Sequence, residues 1–229
     1  MGVFQLSSRP VFPSPTLAEA NGLLAVGGDL SPQRLLAAYA AGIFPWYSEG
    51  QPLLWWSPDP RLVLYPERFH ASRTLRKSLR RQSFSVTFDR DFPQVIGHCR
   101  RCRQATGTWI TPEMEQAYIR LHQLGYAHSV ESWLVTEGEE PVLAGGLYGV
   151  ALGGCFFGES MFYRHADGSK VAFAALAERL RDQGFSLIDC QMTTEHLLRL
   201  GAEEIPRAHF LQQLQHALRQ FPIQPGPWC

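Results

Sequence analysis

"VLAGGLYGVALGGCFFGESMFYRHADGSKVAFAALAERLRDQGFSLIDCQ", residues 142–191, decides how this chain folds. Two strand-like runs, 142–152 and 154–163, follow one another through glycines. A polar loop then leads into residues 169–183, an amphipathic helix stopped by Gly184. Residues 185–191 close the stretch as another strand. A hairpin followed by a crossover helix and a further strand predicts a mixed sheet with helices packed on it.

The same strands carry acids in apolar surroundings. Period-two alternation sets Phe157, Glu159 and Met161 on one face, and Asp189 and Gln191 on one face with Cys190 opposite. A carboxylate in mid-sheet is costly unless it is paired or functional. Either acid alone reads as a satisfied structural group. Two of them, on strands flanking one crossover helix, point to a site. The glycines of 145–154 lie within strands, not between a strand and a helix, so they form neither a dinucleotide fingerprint nor a P-loop. They let strands bend or a ligand approach closely. In "RHADGSK" the expected feature is an N-cap by Ser169, with anion binding the alternative.

Outward from this core, Thr111–Pro112 opens a helix that Gly125 closes, and residues 127–135 read as a strand. Two short helices follow residue 191, so the order from about residue 109 is α-β-β-β-α-β-α. The part before it reads as short helices and turns, with Ser31 capping a proline-initiated helix that stops at Gly42. Next comes "GIFPWYSEGQPLLWWSPDPR", residues 42–61, which holds Trp46, Trp55 and Trp56, half of the chain's six tryptophans. Its prolines and glycines make it mainly loop. The indoles either pack on the domain with their N–H groups satisfied, or stack on planar groups such as nucleobases.

Formal net charge is zero, and that total hides an asymmetry. From Arg61 to Arg103 eleven Lys and Arg face three acids, a local +8, so the remainder carries −8. Within it Arg73, Arg76, Lys77, Arg80 and Arg81 recur at helical spacing as one cationic stripe, anchored by Leu75 and Leu79. A merely solvated face would intersperse acids, and this one has none, which favours phosphate binding.

Other classes are excluded or disfavoured. No apolar run approaches the roughly 18 residues of a membrane span, and the first residues lack the basic and apolar regions of a signal peptide. A cytoplasmic location is expected. The five cysteines predict no disulfide framework, and Cys99 and Cys102 form a lone C-x-x-C without the second pair that zinc would need. Neither a G-x-S-x-G elbow nor an H-E-x-x-H motif is present.

Read together, "NGLLAVGGDLSPQRLLAAYAAGIFPWYSEGQPLLWWSPDPR", "TWIT", "YAHSVESW", "GGLYGV", "FFGESMF" and "LIDCQ…LGAEEIPRAHFL" resemble the leucyl/phenylalanyl-tRNA–protein transferases over roughly residues 4–211. The resemblance implies an α+β chain: a small N-terminal domain, 1–62, followed by an acetyltransferase-like (GNAT-like) mixed-sheet domain, 63–229, that includes the basic helix. It implies transfer of Leu or Phe, and Met less well, from aminoacyl-tRNA to the N-terminal Arg or Lys of proteins, marking them for degradation. Asp189, Gln191 and Glu159 match the family's catalytic residues, with Asp189 expected to receive the amine's proton through Gln191 or a water, and Glu159 to hold the acceptor's cationic end. Leu147, Phe156, Met161, Leu176 and Ile188 correspond to the aminoacyl side-chain pocket, and Trp46 and Trp109 to tryptophans at the tRNA 3′ end. Trp55 and Trp56 are expected to be structural. The ester is already activated, so no cofactor and no metal is expected. Two further classes stay open on the sequence: a nucleic-acid-binding module with structural acids, and a CoA-dependent acetyltransferase, which the missing pyrophosphate loop opposes.

Overall fold

The computed structural model describes residues 2–80, 83–102, 108–220 and 225–228. Arg81 of the cationic stripe lies outside them. The N-terminal part contains more strand than the sequence suggests. β1 (Phe4–Leu6), β2 (Leu23–Gly27), β3 (Phe44–Pro45) and β4 (Leu54–Trp56) form a small sheet in the order β1-β2-β4-β3. Strands of two to five residues show too little alternation to be read in a sequence. α1 (Pro32–Ala40) starts as expected, Ser31 accepting a hydrogen bond from the Arg34 amide, and Gly42 follows it at φ +73°.

A second sheet, larger than the residues after 109 predict, holds the rest. Its strands are β5 (Arg61–Leu64), β6 (Phe84–Phe88), β7 (Ala127–Leu134), β8 (Val142–Leu152), β9 (Cys155–Tyr163), β10 (Leu187–Gln191) and β11 (Glu203–Ile205). Their order is β11-β5-β10-β9-β8-β7-β6. Among the described strands of this sheet only the β9/β10 pair runs parallel, and α5 (Gly168–Asp182) is its crossover. β5 and β6 come from before residue 109, so segments that flank the cationic helix α2 (Arg73–Arg80) supply one interior strand and one edge of the sheet.

Each face of this sheet buries its own apolar cluster. One face packs α5 and Leu75 of α2 around Leu62, Leu64, Leu147, Phe156 and Ile188. The other packs α3 (Phe92–Cys102), α4 (Pro112–Gln123), α7 (Arg207–Gln220) and the small sheet around Val63, Val150 and Phe157. Alternation along β5 puts Leu62 and Leu64 on one side and Val63 on the other. Two local expectations are corrected. Ser169 lies inside α5, whose cap is Asp167 at φ +67°; that carboxylate instead accepts from Ser78 of α2 and Lys170. Leu79 is 40% exposed, so Leu75 and the Ser78 contact anchor α2 without it.

Candidate active site

The parallel pairing of β9 and β10 ends at Asp189 opposite Phe157, although β9 runs on to Tyr163. A cavity of about 390 Å³ opens beyond that point, lined by residues of both strands. Backbone irregularities on the two strands aim the polar groups into it. On β9 the ladder with β8 jumps from Ser160 opposite Tyr148 to Gly158 opposite Gly149, leaving Glu159 as the bulged extra residue. On β10 the ladder with β5 slips between Asp189 and Gln191, and Gln191 sits at φ +63°.

These bulges overturn the strict alternation read from the sequence. Phe157 packs under Tyr39 in the opposite cluster, 4.9 Å between rings, while Met161 lines the cavity. Asp189 and Gln191 likewise part company: Gln191 and Cys190 line the cavity, and Asp189 is fully buried outside it. One inserted residue inverts the side-chain phase beyond it.

Four groups meet at the polar end of the cavity. Glu159 Oε1 accepts from the Tyr39 hydroxyl at 2.7 Å and from Gln191 Nε2 at 3.1 Å. Its Oε2 accepts from the Tyr118 hydroxyl at 2.9 Å. The two hydroxyl oxygens also touch each other, although each phenol has a single proton to give. Burial pushes the Glu159 carboxyl up to about 7, although the three donors draw it down. Burial, followed by the Glu159 charge, raises both phenols well above their ordinary range, so they stay protonated donors.

Asp189 has a different environment. Arg61 grips it with both arms, Nε to Oδ1 at 2.8 Å and Nη2 to Oδ2 at 2.7 Å, and neither side chain reaches solvent. The guanidinium lies over the rings of Phe44 and Phe210, 4.8 and 4.5 Å from their centroids. Asp189 Oδ1 also accepts the Gln191 amide at 3.0 Å, which holds Gln191 in its left-handed conformation. Each carboxylate oxygen thus accepts at least one hydrogen bond, and Gln191, through which Asp189 was expected to receive a proton, stands next to it with its side chain on the cavity.

The predicted pocket residues come together. Leu147, Phe156, Met161, Leu176 and Ile188 all line the cavity, and so do Trp46 and Trp109. Trp46 is 37% exposed and meets Trp56 edge-on at 5.6 Å; Trp56 donates its indole N–H to the Trp46 carbonyl. Trp55 is fully buried with its N–H on the Gly27 carbonyl. Arg73, Arg76, Lys77 and Arg80 line a separate depression. Among the described residues no group of His, Cys, Asp and Glu is arranged to hold a metal ion, and no helix is long and apolar enough to cross a membrane.

Sequence reading missed Arg61, Tyr39 and Tyr118. The tyrosines carried a usable signal: each sits on the buried face of its helix, among Leu35 and Ala38 or between Met114 and Leu121. A buried phenol needs a partner for its hydroxyl, and none is supplied by its own helix.

Comparison with known proteins gives the following. The family model described as leucyl/phenylalanyl-tRNA protein transferase matches residues 63–215, and the model for the N-terminal domain of that family matches residues 28–59. A curated leucyl/phenylalanyl-tRNA–protein transferase from Magnetococcus marinus is 60% identical across all of this chain and 97% of its own length. Its counterpart from Desulfatibacillum aliphaticivorans is 59% identical across all of this chain and 96% of its own. Among solved structures, FemX superposes with a TM-score of 0.48 at 11% identity, covering 80% of this chain and 71% of that one. L-PGS from Bacillus licheniformis does so with a TM-score of 0.44 at 11% identity, covering 75% and 53%.

Proposed function

The chain belongs to the leucyl/phenylalanyl-tRNA–protein transferase family, an aminoacyltransferase family, and from that premise we propose how its cavity works and what it selects. The enzyme moves an aminoacyl group from tRNA to protein. Leu or Phe, and Met less well, is the group transferred, and the α-amine of an N-terminal Arg or Lys is the acceptor, which marks that protein for N-degron degradation. The observation that carries this reading is the cavity itself: an apolar bowl with Glu159 and Gln191 at one end and Trp46 and Trp109 also on its wall.

Leu147, Phe156, Met161, Leu176 and Ile188 hold the aminoacyl side chain. Such a pocket discriminates by size at about 1–3 kcal/mol per methylene. Trp46 and Trp109 stack the 3′ end of the tRNA, and Arg73, Arg76, Lys77 and Arg80 receive its phosphates. In this division residues 1–62 contribute Trp46 and Tyr39 to the site of a larger unit, 63–229, whose crossover sheet suits an acetyltransferase-like ancestry.

The chemistry is aminolysis of an ester. The amine nitrogen bonds to the carbonyl carbon, and the bond from that carbon to the ribose oxygen breaks. An α-amine loses its proton near 7.7–8.0, so a carboxylate titrating near 7 is matched to accept it and return it to the leaving oxygen. Glu159 has that match and faces the cavity. Its charge also attracts the cationic acceptor. Gln191 orients the amine. Asp189, clamped by Arg61, fixes Gln191 and takes no proton itself. No cofactor enters this scheme.

The test is incubation of the enzyme with Leu-tRNA, Phe-tRNA or Ile-tRNA and peptides beginning Arg, Lys or Ala. Transfer of Leu and Phe to the Arg and Lys peptides, with Ile and the Ala peptide at least tenfold slower, is the expected pattern. Equal transfer to the Ala peptide overturns the acceptor assignment, and equal use of Ile overturns the pocket.

A further inference from the structure

Both oxygens of one carboxylate accept phenol hydroxyls that arrive on two different helices. Tyr39 comes from α1 and Tyr118 from α4, and among the described residues neither hydroxyl has a hydrogen-bond partner outside this cluster. The side chains are fully buried, so bringing both phenols here cost desolvation that simple packing by Phe would have avoided. We propose that Tyr39 and Tyr118 are positioning residues of the transfer reaction, whose hydroxyls hold the Glu159 carboxylate ionised and aimed at the acceptor amine. This rests on the reading of Glu159 given above.

The physical reason is a contest between burial and donation. Burial alone would protonate Glu159 at neutral pH, and a carboxylic acid has no capacity to take a proton from an amine. Donors that remain protonated favour the anion. The other groups facing Glu159 leave the task to the tyrosines. Asp189 on β10 raises Glu159 by repulsion, and its charge is met by Arg61. His196 also lines the cavity, and burial followed by Lys170 and Arg199 lowers its proton affinity, so it is neutral at pH 7. Among the described residues Gln191 supplies the one remaining donor, and in the proposed reaction it also meets substrate.

Tyr39→Phe and Tyr118→Phe remove a donor each while keeping the ring. The ratio of variant to wild-type transfer rate, measured from pH 6 to 9 with saturating tRNA, cancels the amine's own titration. An upward shift of one unit in Glu159 lowers that ratio about fivefold at pH 7 and restores it to near one at pH 9. Isotope-edited infrared titration of the Glu159 carboxyl, identified by its loss in Glu159→Gln, should show its midpoint moving upward in parallel. A merely structural role depresses the rate equally at every pH, and that flat ratio overturns the proposal. If the Phe variants do not fold, 3-fluorotyrosine at position 118, a stronger donor of nearly the same shape, should move the infrared midpoint downward; an unmoved midpoint overturns the proposal too. Wild-type transfer by Glu159→Gln removes the underlying reading of Glu159. Loss of transfer there, with a flat ratio in the tyrosine variants, removes the tyrosine proposal alone.

Discussion

Asp189 and Gln191 stand two residues apart in opposite environments, one sealed against Arg61 and the other on the cavity wall. Breaking a buried ion pair from one side strands the other charge, which costs about 3–5 kcal/mol. Asp189→Asn leaves Arg61 fully buried between two rings with half its grip lost, so its urea midpoint should fall steeply and its activity with it. Gln191 sits in a backbone conformation that costs a non-glycine residue about 1–2 kcal/mol. Gln191→Gly should therefore keep or raise the urea midpoint while transfer falls at least tenfold. If Asp189→Asn is as stable as the wild type and merely slow, Asp189 takes part in the chemistry and the clamp reading is wrong. A single residue's role here follows from whom it faces, which two carboxylates on one sheet illustrate: Asp189 meets a guanidinium and is sealed, whereas Glu159 meets neutral donors and a cavity.

Paired strands set that difference one level up. The bulge at Glu159 needs room on the opposite strand, and Gly149 of β8 provides it. A Cβ there would stand 2.2 Å from the Phe157 carbonyl and 2.5 Å from the Phe156 ring. Gly149→Ala should destabilise the protein by about 1–3 kcal/mol through overpacking and push Phe156 into the cavity. Transfer of Phe should then suffer more than transfer of Leu, because Phe is the larger side chain. Equal loss of both, in a variant of wild-type stability, would show that Gly149 has no part in shaping the pocket. The glycine-rich run of β8 was legible in the sequence as a place where strands bend or a ligand approaches. Which glycine served which end depends on the register between β8 and β9.

At the scale of the molecule, the cationic helix and the apolar cavity are lined by separate sets of residues. The cations of α2 line their own depression, and among the described residues the cavity wall carries Glu159 and no Lys or Arg. Phosphate contacts release counterions, and each one lost reduces the log–log salt slope of binding by about 0.7–0.9. Replacing Arg76, Lys77 and Arg80 with Ala should raise KM for aminoacyl-tRNA and flatten that slope by about 2–3, yet spare transfer from a short aminoacyl-adenosine. An unchanged slope, measured by tRNA binding between 50 and 200 mM salt (roughly the range in which such contacts dominate), would assign α2 another task.

By itself the sequence determined the crossover core, the helix caps at Ser31 and Thr111, and the cationic spacing of the helix that carries Arg73, Arg76, Lys77 and Arg80. Those signals are local: periodicity, capping chemistry and charge spacing are written within one or two turns of chain. Tertiary structure decided the rest. The short strands of the N-terminal sheet exist because they pair, not because a few residues prefer extension. The bulges that separate Phe157 from Met161, and Asp189 from Gln191, arise from how β9 and β10 meet their neighbours. Arg61 reaches Asp189 across 128 positions, and Tyr39 reaches Glu159 across 120. Proton affinity at such a site is a property of desolvation and of donors from distant segments, so it comes into being only when the chain has folded.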